Sequence, residues 1–243
     1  HYIRNLKIED KDFFDESFES IVASDENSAC IHYSAKCDNK LIKDILLIDT
    51  GSQYFQGTTD FTRVILMNNN AVTDFHKFIY TSVLKSHIAL ANCIFPEKTV
   101  GKELNAICRA NLWGNSLNFK HGTGHGIGQF LNVHEPGVSI SNKSDIEILP
   151  GMIMSNEPGL YMEGQFGVRL ENAILCKNLN NGFYGFETIS YMPFERNLIN
   201  LDMLTDSEKI WLNNYYKVGK ELILNHITDP GIIKFIEDEF KKF

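Results

Sequence analysis

The chain of 243 residues is 43% hydrophobic, enough apolar material for one substantial core, whether in one large domain or two small ones. Its formal net charge of -8, with no run of Lys and Arg, excludes an electrostatic grip on nucleic acid, and no apolar segment approaches the roughly 20 residues that would span a bilayer. Five scattered cysteines (Cys30, Cys37, Cys93, Cys108 and Cys176) with no C-x-x-C pair read as buried free thiols of a reducing, cytoplasmic compartment.

Residues 1–24 mix polar and aromatic side chains without a clean period and read as a loop entering a strand near Ile21. The short apolar run 30–33, which includes His32, is placed on a strand edge, followed by a polar loop through Asn39. Ile45, Leu46, Leu47 and Ile48 form the continuous apolar run of a strand buried on both faces, and it delivers Asp49 at its end. A second β-rich run follows from Thr58 to Leu66, with Gly51, Ser52 and Gly57 between the two. The product is a hairpin that carries Asp49 and Asp60 close together, either directly opposed or diagonal. Two like charges at the edge of an apolar layer are expensive unless a cation neutralises them.

After a turn at Asn68, Asn69 and Asn70, residues 71–95 place apolar side chains at spacings of three and four, which predicts an amphipathic helix stopped by Pro96. Residues 101–113 read as a second, shorter helix, and His87 inside the first reads as a packed histidine. The segment 121–136 (H-G-T-G-H-G-I-G-Q-F-L-N-V-H-E-P) holds three histidines and four glycines. It does not match G-x-G-x-x-G and no strand leads into a helix there, which excludes a dinucleotide loop and points to a backbone that approaches something closely. Further on, Pro158 forces Glu157 into an extended conformation. Residues 163–165 form a turn, and 166–175 return as a strand with Arg169 and Glu171 on one face. A hairpin turning at Gly164 sets Glu157 opposite Glu171. Residues 186–194 read as another strand, Thr205 and Glu208 as a capping box opening a helix through Tyr216, and 232–243 as a charged terminal helix. The order of hairpin, helices, Gly-His loop, hairpin and helix suggests two similar halves within one α+β domain.

Two acidic hairpins and a glycine-rich loop with His125 together offer four carboxylates and one imidazole. Such an oxygen-rich set suits two hard or borderline divalent ions, which can share a water, lower its pKa and clamp a developing oxyanion. The motifs I-D-T-G-x-x-Y-x-x-G-T-T-D-x-T-R, H-G-T-G-H-G-I-G-x-x-L-N-V-H-E, N-E-P-G-L-Y and G-V-R-L-E-N closely resemble the pita-bread metallopeptidases, in particular the Xaa-Pro aminopeptidase (aminopeptidase P) branch. The resemblance runs from about Phe18 to Tyr216. It implies a pita-bread fold with two pseudo-symmetric halves around a dimetal site, and metal ligands at Asp49, Asp60, His125, Glu157 and Glu171. Asp60 and Glu171 would bridge both ions, with Asp49 on one and His125 with Glu157 on the other. Glu157 would also be the general base that moves a proton from the bridging water to the leaving nitrogen. His134 and His32 would bind the scissile carbonyl region, His121 would shape the proline pocket, and Tyr161 with Arg169 would form a network reaching Asp49.

The same resemblance implies manganese, with cobalt, iron or zinc as alternatives, peptide substrates with an Xaa-Pro N-terminus, and a homodimer. Neither nucleic acid nor a membrane is an expected partner. A prolidase that cleaves only Xaa-Pro dipeptides is the nearest alternative. A non-catalytic peptide- or protein-binding relative or a metal-free hydrolase is disfavoured because all five ligands are present. In the family, helices of the catalytic domain and whole domains precede the region of resemblance. The expectation is therefore one catalytic domain over 1–243 lacking its first helices and upstream domains, with apolar surface of the first strands and of the 71–95 helix left uncovered.

Overall fold

The computed structural model describes residues 2–34 and 42–243. The chain opens with α1 (Tyr2–Ile8), β1 (Phe13–Glu16) and β2 (Ile21–Ser24), so the expected loop over 1–24 is instead a helix and two strands. The strand at Ile21 is present. The helix was hidden because none of its residues is buried, and β1 because it pairs only with a small outlying hairpin and therefore lacks alternation. Lys7 ties the helix down by donating to Thr50 Oγ1 at 2.6 Å and to the Gly51 carbonyl at 2.7 Å.

No strand forms at residues 30–33. Ile31 and His32 lie in a turn, and the apolar side chains of Ile31 and Tyr33 line a cavity rather than a sheet face. The polar loop expected through Asn39 lies partly outside the described residues, as does Cys37. Of the other cysteines, Cys108 and Cys176 are buried as expected, whereas Cys30 is exposed and Cys93 only partly covered.

The first acidic hairpin is β3 (Ile45–Thr50) against β6 (Phe61–Leu66), with a smaller hairpin of β4 (Ser52–Tyr54) and β5 (Gly57–Thr58) inserted at its tip. Asp49 faces Thr62 in this register, so Asp60 is its diagonal neighbour. With β2 on the other side of β3, these strands make a three-stranded sheet.

Helix α2 (Asp74–Ala91) starts at Thr73, whose hydroxyl accepts from His76 N at 3.2 Å, and ends at Asn92 rather than at Pro96. Residues 94–96 are strand β7, so the apolar signal of Phe95 is real but belongs to a sheet. Nor is α2 left bare, since 11 of its 18 residues are buried. Helix α3 (Gly101–Gly114) matches its expected span to one residue. Then come β8 (Gly124–Gly126), β9 (Glu135–Ile140), β10 (Ile153–Asn156), β11 (Gly159–Met162), β12 (Phe166–Arg169), β13 (Asn172–Asn180) and β14 (Phe183–Thr188).

These strands build a six-stranded antiparallel sheet in the order β7-β14-β13-β10-β8-β9 and a separate β11-β12 ribbon. The single strand expected at 166–175 is thus divided at Leu170 and Glu171 between ribbon and sheet. Gly164, at φ +70°, supplies the left-handed turn between β11 and β12. Asn156 pairs with Asn172 and Gly159 with Arg169 in one continuous register, which places Glu157 opposite Glu171.

The strand expected at 186–194 ends at Thr188. Beyond it the chain curls so that the Met192 and Pro193 carbonyls accept from the buried Arg63 guanidinium, which a ladder strand could not do. Helix α4 (Asp206–Leu224) opens with the expected capping box, Thr205 N donating to Glu208 Oε2 at 2.8 Å and Glu208 N to Thr205 Oγ1 at 3.3 Å. Helix α5 spans Pro230–Glu239, earlier than expected because Asp229 caps it and Pro230 presets its first turn. The larger core cluster joins α2, α4, β3 and the β11-β12 ribbon, and a smaller one lies between α3 and the six-stranded sheet. The acids emerge where the two sheets meet.

Candidate metal centre

Asp49, Asp60, His121, His125, His134, His32, Glu157, Arg169 and Glu171 all line one cavity of about 580 Å³. The acids are withdrawn from solvent: Asp49 is 9% exposed, Asp60 5% and Glu171 2%. Ligand atoms of Asp60, His125 and Glu171 lie within 4.8 Å of one another. His125 Nε2 is 3.4 Å from Asp60 Oδ2 and 3.2 Å from Glu157 Oε1, with Nδ1 of the same ring 3.0 Å from the Gly126 carbonyl. That backbone contact fixes the ring and presents Nε2 to the acids.

The glycines of the Gly-His loop serve a close backbone approach. A Cβ on Gly124 would stand 2.0 Å from the Ser155 carbonyl, so only glycine lets β8 press against β10 and bring His125 beside Glu157. Ser155 strengthens this junction. Its hydroxyl accepts from His125 N at 2.9 Å and donates to Glu157 Oε1 at 3.0 Å.

Burial pushes the Glu157 carboxyl up to about 7, and burial together with the neighbouring acids raises Asp60 and holds Glu171 well above the usual carboxylate range. Burial opposes a charge on His125, yet its hydrogen bond to Asp60 and the Glu157 charge lift its pKa to about 9. Arg169 is the counter-charge of one corner: NH2 donates to Asp49 Oδ2 at 2.6 Å and NH1 to Tyr161 OH at 2.9 Å. Its charge is held more firmly than usual by Tyr161 and Asp49, against the cost of burial.

Whether a cation fits is decided by what these partners leave open. Among the described residues, Asp49 Oδ1 is buried and accepts no hydrogen bond, and of the three acids of raised pKa Asp60 and Glu157 share one imidazole while Glu171 has only the Thr62 hydroxyl. An orphaned carboxylate oxygen beside clustered like charges is the arrangement a hard or borderline divalent cation neutralises. The residues therefore fit a cation centre.

His121 takes a different part from the other histidines. Arg169 can only donate to the Tyr161 hydroxyl, so that hydroxyl donates to His121 Nε2 at 2.8 Å, and His121 Nδ1 donates to the Gly122 carbonyl at 2.7 Å. Both nitrogens are engaged, burial holds the pKa down to about 4, and the ring, tilted against Phe119, presents an uncharged wall. His134 stands edge-on to His125 with ring centroids 4.1 Å apart, and His32 is exposed at the cavity.

The five expected ligands, the three further histidines and Arg169 thus line one cavity, and Tyr161 joins them through Arg169 and His121. Ser155 and Thr62 were missed. Thr62 is fully buried and donates to Glu171 Oε2 at 2.6 Å. Thr62 is two residues from Asp60 and Ser155 two from Glu157, a spacing that hints at a shared side of the chain but does not name the distant partners that give each its part.

A family profile described as metallopeptidase family M24 matches residues 1–178, and one for the C-terminal region of peptidase M24 matches 182–242. A probable Xaa-Pro aminopeptidase P of Fusarium vanettenii is 39% identical, over 88% of this chain and 36% of the relative. Xaa-Pro aminopeptidase 1 of Dictyostelium discoideum is 39% identical, over 98% of this chain and 40% of the relative. The chain therefore spans less than half the length of these proteins. Among solved structures, an X-prolyl aminopeptidase from Caenorhabditis elegans, described as a cytosolic enzyme with a dinuclear active site, superposes with a TM-score of 0.93 at 29% identity, covering 99% of this chain and 41% of that one. A Xaa-Pro dipeptidase from Bacillus anthracis superposes with a TM-score of 0.69 at 31% identity, covering 80% of this chain and 53% of that one. The fold is the pita-bread fold of these enzymes, and the chain belongs to metallopeptidase family M24.

Proposed function

We propose that the chain carries the catalytic centre of a dimetal aminopeptidase that releases the N-terminal residue from peptides with proline at the second position. The observation that carries this reading is the convergence of four carboxylates and His125 from both halves on one cavity, with Asp49 Oδ1 left unpartnered among the described residues. The Xaa-Pro aminopeptidase relatives and the dinuclear C. elegans enzyme support it. Asp49, Asp60, His125, Glu157 and Glu171 would together hold two divalent ions, with Asp60 and Glu171 contributed from opposite halves. When bound, such ions lower the pKa of a water and polarise the scissile carbonyl.

The chain's own residues do the rest. Glu157 takes the proton at its carboxylate and returns it to the leaving nitrogen; Ser155 occupies Oε1, while Oε2 accepts no hydrogen bond from the described residues. His134 and His32 offer ring N–H groups to the substrate carbonyl region. Proline has no N–H, so its recognition rests on apolar contact, for which Phe18, Ile21, Ile31, Tyr33, Val133 and the uncharged His121 ring line the cavity. Oxygen-rich ligands favour manganese. The cytosolic C. elegans enzyme supports a cytoplasmic location, and a homodimer follows from the family resemblance.

A prolidase is the second reading. A dipeptide brings its own carboxylate into the cavity, yet Arg169, the one Lys or Arg among the described lining residues, is committed to Asp49. Assays on Xaa-Pro dipeptides and on longer Xaa-Pro peptides, each with and without Mn²⁺, test the proposal. Manganese-dependent turnover that is faster on the longer peptides is expected. Turnover of dipeptides alone would establish the prolidase, and a purified chain that binds no metal and cleaves neither would refute an enzyme.

A further inference from the structure

The seam between the halves holds two residues that the mechanism does not use, Thr62 and Arg63 of β6. Thr62 Oγ1 lies 2.6 Å from Glu171 Oε2 and 3.2 Å from Arg169 Nε. A guanidinium can only donate, so the hydroxyl accepts from Arg169 and its hydrogen must point at Glu171. The main chain joins the same pair, Glu171 N donating to Thr62 O at 3.1 Å. Arg63 closes the seam: NH1 donates to Thr62 O at 2.8 Å and to Glu171 O at 2.6 Å. Its other N–H groups reach the Met192 and Pro193 carbonyls, Asn172 Oδ1 and Tyr215 OH.

Arg63 is 1% exposed and pairs with no carboxylate among the described residues. A guanidinium removed from water is tolerated only when its donors are satisfied, and here they are satisfied by oxygens fixed in the frame of both halves. Every donor is engaged, Nε and NH2 by more oxygens than they have hydrogens, so the guanidinium is held from several sides at once. A threonine under the carboxylate and an arginine bridging the two carbonyls leave Glu171 little freedom in side chain or backbone.

We infer that Thr62 and Arg63 are positioning residues that clamp Glu171, from the second half, against β6 of the first and so set its carboxylate relative to Asp60. This rests on the dimetal reading of the site. Thr62→Val keeps the shape and removes the hydroxyl, Thr62→Ser restores it, and each is measured by Mn²⁺ calorimetry and by melting of the metal-free chain. Loss of a group that orients a metal ligand typically weakens metal affinity about 10- to 100-fold. Thr62→Val is expected to fold and bind Mn²⁺ at least about tenfold more weakly, with Thr62→Ser close to the parent. Parent-like affinity in Thr62→Val, whatever its melting temperature, would overturn the clamp alone. A parent chain that binds no Mn²⁺ would overturn the dimetal reading and the clamp with it. Should Thr62→Val not fold, Arg63→Lys, which keeps the charge but cannot bridge the Thr62 and Glu171 carbonyls while reaching Met192 and Asn172, decides in its place: weaker Mn²⁺ binding supports the clamp and unchanged binding overturns it.

Discussion

In the mechanism proposed above, Glu157 both holds metal and moves the proton, and a substitution there must separate the two. Glu157→Gln keeps the volume and one carbonyl oxygen for an ion but cannot take a proton. Turnover of an Xaa-Pro peptide is expected to fall by about 10² to 10⁴, the usual contribution of a positioned base, with a smaller change in peptide affinity. Metal content measured on the same sample shows whether the ions stayed, and an unchanged rate in the loaded variant would remove Glu157 from the chemistry. The four acids and the imidazole were legible in the sequence because each follows a local rule: a strand end at Asp49, a hairpin partner at Asp60, a hairpin register for Glu157 and Glu171, and a glycine-flanked histidine. Thr62 and Arg63 were not, because what they do depends on the approach of Glu171 and Asn172, more than 100 residues along the chain. Ser155 was missed for a related reason, since its partner His125 comes from a different strand.

Among the elements, those with a strong period were read correctly and those defined only by a neighbour were not. Helices α3 and α4 and the paired strands β3 and β6 carry their own apolar pattern or capping box, whereas α1, β1 and β7 exist because another part of the chain holds them. Helix α2 shows both behaviours, reading as a helix but ending where tertiary contacts require. His87, at its buried face, is a packed residue as the sequence indicated: Nδ1 lies 3.2 Å from the Leu170 carbonyl and the ring stands against Phe194 and Trp211. Burial, with the Arg63 charge nearby, lowers its pKa to about 3. The unfolded chain takes up this proton below about pH 6.5, which the folded chain refuses until much lower pH, so stability rises with pH in that window and is lost as pH falls through it. His87→Leu removes the linkage. Urea unfolding at pH 6.5 and pH 5 is expected to show the variant gaining roughly 1.5 kcal/mol on the parent over that interval. Parallel curves would mean that His87 is protonated as readily in the fold as out of it.

At the scale of the molecule, the two halves meet at a cluster of acids that repel one another, so the cation centre is also where the fold has most to gain. Asp60 and Glu171 come from opposite sides of the seam, and a cation that both contact attracts the halves where bare carboxylates push them apart. A ligand that binds only the folded state at 100 times its dissociation constant adds about 2.7 kcal/mol. In a chain of this size each kcal/mol moves the melting temperature by roughly 2 to 4 °C, so Mn²⁺ added to chelator-stripped protein should raise it by about 5 to 10 °C. Asp60→Asn separates this effect from general salt stabilisation. Without metal the variant loses its ion pair with His125 but also removes one of the crowded charges, so its melting temperature should stay close to that of the stripped parent. With Mn²⁺ it should gain little, because an amide does not supply the charge that the proposed centre draws from Asp60. Thermal melts of both proteins with and without Mn²⁺ check this, and an equal rise in both would place the stabilising cation away from the seam.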